Sequence, residues 1–203
     1  PEPVDEINLR FHLKPYQKPH PPIFLAGGLG PKSGTLVMAG ELGYSPMSTS
    51  VVLWPNLRSH WECVEQGASI SGNTPDRSTW RIAREVYVAD STEEARREAR
   101  RGTMRRDFDY WQKLMAYGKV LGDLKTDPEM PDSDVTADYL METYAIVGSP
   151  DDVADEIRRM YEYVGGFGAL LVMGHEWHHP EDRWEHSMEL LVKEVMPKLA
   201  DLA

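Results

Sequence analysis

The chain has 203 residues, of which 41% are hydrophobic and 27% are charged, and this balance supports a folded domain and excludes general disorder. A formal net charge of −11 argues against nucleic acid and against anionic membrane surfaces as partners, because both are themselves negatively charged. The single cysteine, Cys63, excludes an internal disulfide and a zinc site made of cysteines, and no segment is apolar enough to predict a membrane span, so we expect a cytoplasmic protein.

The first part of the chain is predicted to form two strands, each followed by a helix. Residues 1–22 are a lead-in, because their prolines remove backbone donors and disfavour helix before each ring. The apolar run 23–26 stops at Gly27 and Gly28, which is typical of a buried strand that ends in a tight turn. The predicted elements are a strand at 23–26, a helix at 33–42, a strand at 44–49 and a helix at 57–66.

The rest of the chain continues this alternation. Ser91 and Glu94 have the spacing of a capping box, and Ser149 before Pro150 indicates a helix start. Residues 118–136 contain few apolar side chains and are predicted to be an excursion or a lid. The remaining predicted elements are a strand at 80–89, an arginine-rich helix after Ser91, a helix at 149–164, an apolar strand covered on both faces at 167–173 and a helix at 184–199. Such alternation predicts one α/β domain with a parallel sheet, open or closed into a barrel.

A glycine-rich segment, residues 27–33, joins the first strand to the first helix. Glycines there let backbone N–H groups approach an anion, the helix N-terminus adds partial positive charge, and Lys32 and Ser33 add donors. The segment is neither a dinucleotide fingerprint, because a third glycine is missing after Gly28 and Gly30, nor a P-loop, because no glycine precedes Lys32. It predicts a phosphate cradle, with a glycine-rich turn that binds no ligand as the alternative.

The H-E-x-x-H pattern of zinc hydrolases occurs at His175, Glu176 and His179. That chemistry needs both histidines on one helix face, whereas here a strand precedes them and Pro180 follows them. We therefore assign no metal site. Because ligands sit beyond the carboxyl ends of parallel strands, His175 and Trp177 are candidates to line a pocket, unless they only cap the next helix. No nucleophile lies beside a base, so the catalytic residues stay unassigned.

Six stretches in order carry a resemblance to a known family. They are residues 19–28, 39–48, 83–90, 147–154, 165–177 and 187–197, which include the strings PHPPIFLAGG, VGSPDDVA and SMEL. Together they resemble the C-terminal half of the luciferase-like flavin monooxygenases, the family of bacterial luciferase and the limonene-monooxygenase-like enzymes. The resemblance covers nearly the whole chain.

The resemblance implies a (β/α)₈ TIM barrel, a fold that typically needs about 250 residues. Residues 23–26, 44–48, 82–89 and 169–173 would then be barrel strands five to eight, with their helices. The first four strands would be missing, and the chain does not start with methionine. We therefore expect a fragment or a truncated product that holds the second half of the barrel.

The resemblance also implies a function for the complete protein. The family binds reduced FMN at the carboxyl mouth of the barrel and uses O₂ to insert one oxygen atom into a small organic substrate, with a separate NAD(P)H:flavin reductase as partner. His175 and Trp177 would edge the substrate pocket. The residues implied to contact FMN are Gly27, Gly28 and Ser33 at the phosphate, Lys32 as an added cation, and Met47 and Ser48 along the flavin.

Three alternatives remain at this point. A deazaflavin could replace FMN as a hydride carrier within the same family. A half-barrel could be non-catalytic and act as an assembly partner, and its unpaired edges predict a homo-oligomer. The zinc hydrolase is the third alternative.

Overall fold

The structure is a computed structural model that describes residues 4–7, 14–174 and 182–202. The main sheet has four strands in the order β1-β2-β3-β6, and a second sheet pairs β4 with β5. The strands are β1 Phe24–Ala26, β2 Ser45–Ser48, β3 Arg81–Arg84, β4 Val86–Val88, β5 Ile146–Gly148 and β6 Ala169–Val172. The helices are α1 Gly34–Leu42, α2 Trp54–Ser71, α3 Thr92–Ala99, α4 Thr103–Tyr117, α5 Ala137–Tyr144, α6 Pro150–Val164, α7 Asp182–Leu190 and α8 Met196–Lys198.

Every strand pair is parallel, as the alternation of elements predicts. Ala26 pairs with Met47, Met47 with Arg81, and Arg81 with Ala169, so β1 and β6 run in the same direction in one sheet. Within the described ranges the main sheet is open, and no closed barrel is present. The α/β class with a parallel sheet is therefore confirmed.

The predicted strand at 82–89 is wrong as a single element. The chain leaves the main sheet at Glu85, so that β3 belongs to the main sheet and β4 to the second sheet. The backbone N–H of Ile146 donates to the Glu85 carbonyl at 2.8 Å, which starts the pairing of β4 with β5. The sequence mixes apolar and polar residues from β3 through Arg84 and Glu85 into β4, and this pattern reads as one strand that does not show where the chain changes sheet.

Helix α2 is longer than the predicted 57–66, and Gly67 does not end it. A Cβ on Gly67 would lie 1.8 Å from the Val37 carbonyl oxygen of α1, and a Cβ on Gly40 would lie 2.0 Å from that of Val64. The two glycines therefore let α1 and α2 cross in close backbone contact. Gly72, with φ of 75°, ends the helix instead.

The predicted helix starts are confirmed at Ser33, Ser91 and Ser149, whose side chains accept from backbone N–H groups in the first turn of α1, α3 and α6. Two predicted helices are interrupted, however. The arginine-rich helix is divided into α3 and α4, and the predicted helix at 184–199 contains a π-helical segment, Leu191–Val195, between α7 and α8.

The core has two parts. The first lies between one face of the main sheet and helices α1, α2 and α6, and the second is formed chiefly by α3, α4 and α5. The polar segment 118–136 takes part in the second core, because Leu121, Leu124 and Val135 are buried there. The hydroxyl of Tyr144 donates to the Leu124 carbonyl at 2.9 Å, which anchors this segment from α5.

The other face of the main sheet, here called the open face, is largely uncovered by the described residues. The strand register puts these side chains on it: Phe24, Ala26, Ser45, Met47, Arg81, Ala83, Ala169 and Leu171. Phe24 is 45% exposed and Leu171 is 39% exposed, so the expectation that 167–173 is covered on both faces is wrong for this chain. No helix in the described ranges is both long and apolar enough to cross a membrane.

Candidate functional site

The carboxyl ends of the four parallel strands meet at one edge of the main sheet, called here the carboxyl edge. Gly27, Thr49, Glu85 and Met173 are the first residues after β1, β2, β3 and β6. In parallel α/β folds this edge is where ligands bind, because loops and helix N-termini converge there. The candidate site is therefore built from these four connections.

The glycine turn, residues 27–33, forms the first of them. The N–H of Gly27 donates to the Met47 carbonyl at 2.8 Å, and a Cβ on Gly27 would lie 2.7 Å from Leu36 Cδ1. Gly27 is thus required by packing. A Cβ on Gly28, in contrast, would meet no atom within 4 Å. Among the described residues, the backbone N–H groups of Gly28 and Gly30 have no hydrogen-bond acceptor, so the turn has donors to offer.

Three side chains of α2 contact successive carbonyls of the glycine turn. Asn56 Nδ2 donates to the Leu29 carbonyl at 3.0 Å, and His60 Nε2 donates to the Gly30 carbonyl at 3.0 Å. Cys63 Sγ lies 3.7 Å from the Pro31 carbonyl. These three side chains, called the α2 stripe, were missed by the sequence reasoning. Their spacing of four and three residues on one helix face was the available signal.

Met47 and Ser48, both predicted to lie along a flavin, are on opposite faces of the sheet. Met47 is partly exposed on the open face. Ser48 is fully buried on the helix side, where its Oγ accepts from Trp80 Nε1 at 3.1 Å and lies 2.9 Å from His60 Nδ1. Ser48 therefore supports the site from the helix side of the sheet and does not line its surface.

The ionisation of His60 follows from these contacts. A carbonyl can only accept, so His60 Nε2 carries the proton that it donates to Gly30, and in the neutral ring Nδ1 accepts from the Ser48 hydroxyl. Burial lowers the pKa of His60, the positive charge of Arg84 lowers it further, and the bond to Gly30 opposes both. His60 is neutral at physiological pH.

The charged groups at the turn have opposite signs. Lys32 is exposed next to Ser33, whose Oγ caps α1 and lies 3.0 Å from Thr35 Oγ1. The Asp123 carboxylate, from segment 118–136, is 3.3 Å from the position that a Cβ on Gly30 would take. An anion at the turn would therefore be attracted by Lys32 and repelled by Asp123.

Thr49 carries an unpaired hydroxyl at the carboxyl edge. Its Oγ1 is buried and has no hydrogen-bond partner within the described part of the chain. Thr49 directly follows Ser48, the last residue of β2, and so lies at the carboxyl edge. Sequence reasoning missed Thr49, which was only the last residue of the predicted strand at 44–49. An unpaired buried hydroxyl is costly, and a bound ligand could satisfy it.

Arg84 fixes the loop that follows β2. Its guanidinium is fully buried and donates to the carbonyls of Ser50 at 2.7 Å and Val52 at 2.8 Å. Burial lowers its pKa to about 10, which still leaves it charged. Arg84 was not identified from the sequence. It holds the backbone next to Thr49 in one conformation.

The predicted pocket residues His175 and Trp177 lie outside the described residues, as does the H-E-x-x-H pattern. The described chain reaches Gly174 just past β6, where the Met173 N–H donates to the Arg84 carbonyl at 2.9 Å. Elsewhere in the described ranges, no group of three or more histidine, cysteine or acidic side chains could hold a metal ion.

Comparison with known proteins identifies relatives. The family model described as luciferase-like monooxygenase matches residues 5–166. The 3,6-diketocamphane 1,6-monooxygenase of Pseudomonas putida is 30% identical over 200 residues, which are 96% of this chain and 51% of that protein. Limonene 1,2-monooxygenase of Rhodococcus erythropolis is 32% identical over 173 residues, which are 83% of this chain and 40% of that protein.

A solved structure agrees with the sequence matches. It is the FMN complex of the oxygenating constituent of 3,6-diketocamphane monooxygenase from Pseudomonas putida, a type II Baeyer-Villiger monooxygenase. Its TM-score is 0.80 at 30% identity, and the match covers 98% of this chain and 54% of that one. This chain thus spans about half the length of the relatives it matches. The family match extends over most of its residues, and the chain belongs to the luciferase-like monooxygenase family.

Proposed function

We propose that this chain is the second half of a flavin-binding (β/α)₈ barrel and that the complete protein is an FMN-dependent monooxygenase. The observation that carries the proposal is the carboxyl edge, which collects a glycine turn with unpaired N–H groups and the unpaired Thr49 hydroxyl beside an apolar open face. Membership in the family and the FMN named in the solved relative support this assignment.

The open face supports the half-barrel. Phe24 and Leu171 expose apolar surface that a closed barrel would bury, and the outer edges of β1 and β6 are unpaired in the main sheet. The relatives are about twice as long as this chain. Four further strands would close the sheet through β1 and β6 and cover both residues. Without those strands we expect the chain to self-associate through this face.

The residues present fit FMN. The glycine turn offers N–H donors at the start of α1, and Gly28 leaves open space at that point, which suits a phosphate. Lys32 adds a positive charge nearby. Thr49 Oγ1 offers a donor or acceptor to a polar group on the flavin or substrate.

The chain's own residues would bind and orient the flavin and the substrate, and they would keep water away from the reacting atoms. The turn would hold the phosphate, while Met47 and Leu171 would present an apolar wall that keeps water from the reacting atoms. Reduced FMN, when bound, supplies two electrons with which O₂ is split, so that one oxygen atom enters the organic substrate and the other leaves as water. His175 and Trp177 remain candidates for the substrate pocket.

The substrate we propose is a small, mainly apolar organic molecule, such as a cyclic ketone or terpene, because Phe24, Met47 and Leu171 make much of the open face apolar. The relatives named for diketocamphane and limonene favour the same class. Electrons would come from a separate NAD(P)H:flavin reductase, as the family resemblance implies.

The experiment uses the complete protein that contains this chain. Reduced FMN is titrated anaerobically, and the complex is then mixed with O₂ and either 3,6-diketocamphane or limonene. We expect stoichiometric FMN binding and a product that gains one ¹⁸O atom from ¹⁸O₂. Tighter binding of a deazaflavin than of FMN, without ¹⁸O incorporation, would favour hydride transfer, and no flavin binding at all would disprove the proposal.

A further inference from the structure

The α2 stripe contacts the glycine turn in an ordered way. Asn56, His60 and Cys63 lie on one face of α2, and they meet the carbonyls of three consecutive residues, 29, 30 and 31. The rest of the buried side of α2, including Leu57, is apolar and packs in the first core. A polar strip of this kind in a buried helix face requires partners, and here the partners are all in one turn.

Holding these carbonyls fixes the direction of the opposite N–H groups. In a trans peptide the C=O and the N–H point in opposite directions. Because the Leu29 carbonyl faces α2, the N–H of Gly30 points away from α2, and the Pro31 carbonyl orients the N–H of Lys32 in the same way. Neither N–H has an acceptor among the residues described.

His60 can hold the Gly30 carbonyl firmly because both of its ring nitrogens form hydrogen bonds. Nε2 donates to Gly30, and Nδ1 faces the Ser48 hydroxyl, which also receives the Trp80 N–H. The ring is fully buried and lies 3.1 Å from where a Cβ on Gly27 would be. A rotation of the ring would break both of its hydrogen bonds, so the turn is tied through His60 to β2 and β3.

We propose that Asn56 is a positioning residue for the FMN phosphate and that His60 supports it by fixing the backbone of the turn. Asn56 directs the N–H of Gly30 toward the ligand. The Gly30 carbonyl that His60 holds belongs to the peptide bond with Pro31, which has no N–H, so His60 directs no donor of its own. Neither side chain touches the ligand. The inference rests on the proposed function, because it takes the anion to be the phosphate of FMN. It adds a role for α2, which the glycine pattern alone does not suggest.

The test compares FMN with riboflavin, which lacks the phosphate. Dissociation constants for both are measured on the complete protein and on Asn56→Ala, His60→Leu and His60→Gln. Loss of the oriented Gly30 N–H should weaken FMN binding about tenfold in Asn56→Ala, and a looser turn should weaken it by a smaller factor in His60→Leu. Riboflavin binding should change less than about twofold. The glutamine side chain can still donate to Gly30, so His60→Gln should recover part of the loss.

Val64→Ala is the matched control. Val64 is buried on the same helix, its carbonyl lies against Gly40 of α1, and its side chain forms no hydrogen bond to the turn, so this change should lower stability without changing the ratio of FMN to riboflavin affinity. If His60→Leu and Asn56→Ala lost affinity for FMN and for riboflavin by the same factor, the inference would be overturned. Unchanged FMN affinity would also overturn it. Asn56 is only partly buried, so Asn56→Ala decides the matter if His60→Leu does not fold.

A second measurement separates this inference from the proposed function. Selective ¹⁵N labelling of glycine and lysine reports the amides of Gly30 and Lys32 while inorganic phosphate is added. Shifts that occur in the wild type and are lost in Asn56→Ala would support the positioning role even if FMN did not bind. No shifts and no FMN binding would overturn both proposals.

Discussion

The Ser48 hydroxyl lies 2.9 Å from Nδ1 of His60, and this hydrogen bond joins the end of β2 to α2 directly beneath the glycine turn. The bond fits the neutral ring that burial favours, in which Nδ1 accepts the hydroxyl proton. We therefore expect the support of the turn to depend on pH through His60.

Folding stability should fall as the pH is lowered through about 6.5, the ordinary pKa of histidine. Burial lowers the pKa of His60 in the folded state, so the unfolded state takes up its proton first and is favoured by acid. Above about pH 6.5 both states are neutral at this residue, and it adds no pH dependence.

Urea unfolding at about pH 7.5 and about pH 5.5 checks this prediction. The other histidines contribute equally in His60→Gln, so the difference between the two proteins reports His60 alone. We expect the free energy of unfolding to fall less in the variant than in the wild type between the two pH values. Equal falls in both proteins would show that the pKa of His60 is not lowered by folding.

Asp123→Asn should tighten FMN binding. The carboxylate is close to Gly30, where the phosphate is proposed to bind, and removing one negative charge in a partly hydrated site should lower the dissociation constant about two- to fivefold. Binding titrations at low and high salt measure the effect, which should shrink at high salt. Glu129→Gln removes an exposed charge from the same segment and should have little effect, and riboflavin affinity should not change in either variant.

Thr49→Val should leave the unliganded protein as stable as the wild type, or more stable by up to about 1 kcal/mol. The substitution replaces an unpaired buried hydroxyl with a methyl group of similar size, and no hydrogen bond is lost. Oxygenation or flavin affinity should nevertheless fall. Ser48→Ala is the contrasting variant and should lower stability. It removes a paired hydroxyl and leaves Trp80 Nε1 and His60 Nδ1 without their hydrogen-bond partner. Chemical denaturation of both variants, with a turnover assay, tests the difference.

Gly67→Ala should destabilise the protein by roughly 3 kcal/mol or more, because the new Cβ would overlap the Val37 carbonyl and force α1 and α2 apart. Gly28→Ala should cost little, since its Cβ would enter open space. Thermal unfolding compares the two variants. A mild effect of Gly67→Ala would mean that the helices separate easily, contrary to the packing described.

The sequence predicted the parts of the fold that local chemistry determines. Ser91 and Ser149, for example, mark the starts of α3 and α6 because a hydroxyl acceptor suits the first turn of a helix. The parallel order followed from alternating elements. The change of sheet at Glu85 was not predicted, since Arg84 and Glu85 are compatible with one strand of mixed apolar and polar residues and β5 has only three residues, too short for a periodic signal.

The candidate site was predicted in part. The glycine turn was located from its composition, but its support on α2 was not, because Asn56 and His60 acquire their role only when α2 packs beside the turn. The pairing of Met47 with Ser48 ignored the alternation of strand side chains, which already separates adjacent residues to opposite faces. Thr49 required coordinates, because only burial without a partner distinguishes it from other threonines.

The close crossing of α1 and α2 at Gly40 and Gly67 has a thermodynamic consequence for ligand capture. The turn opens α1, and its supporting side chains project from α2, so two backbones in direct contact carry both parts of the proposed phosphate-binding region. Helices α1 and α2 should therefore move as one rigid body. Little conformational entropy would then be lost when an anion binds, and more of the interaction energy would appear as affinity.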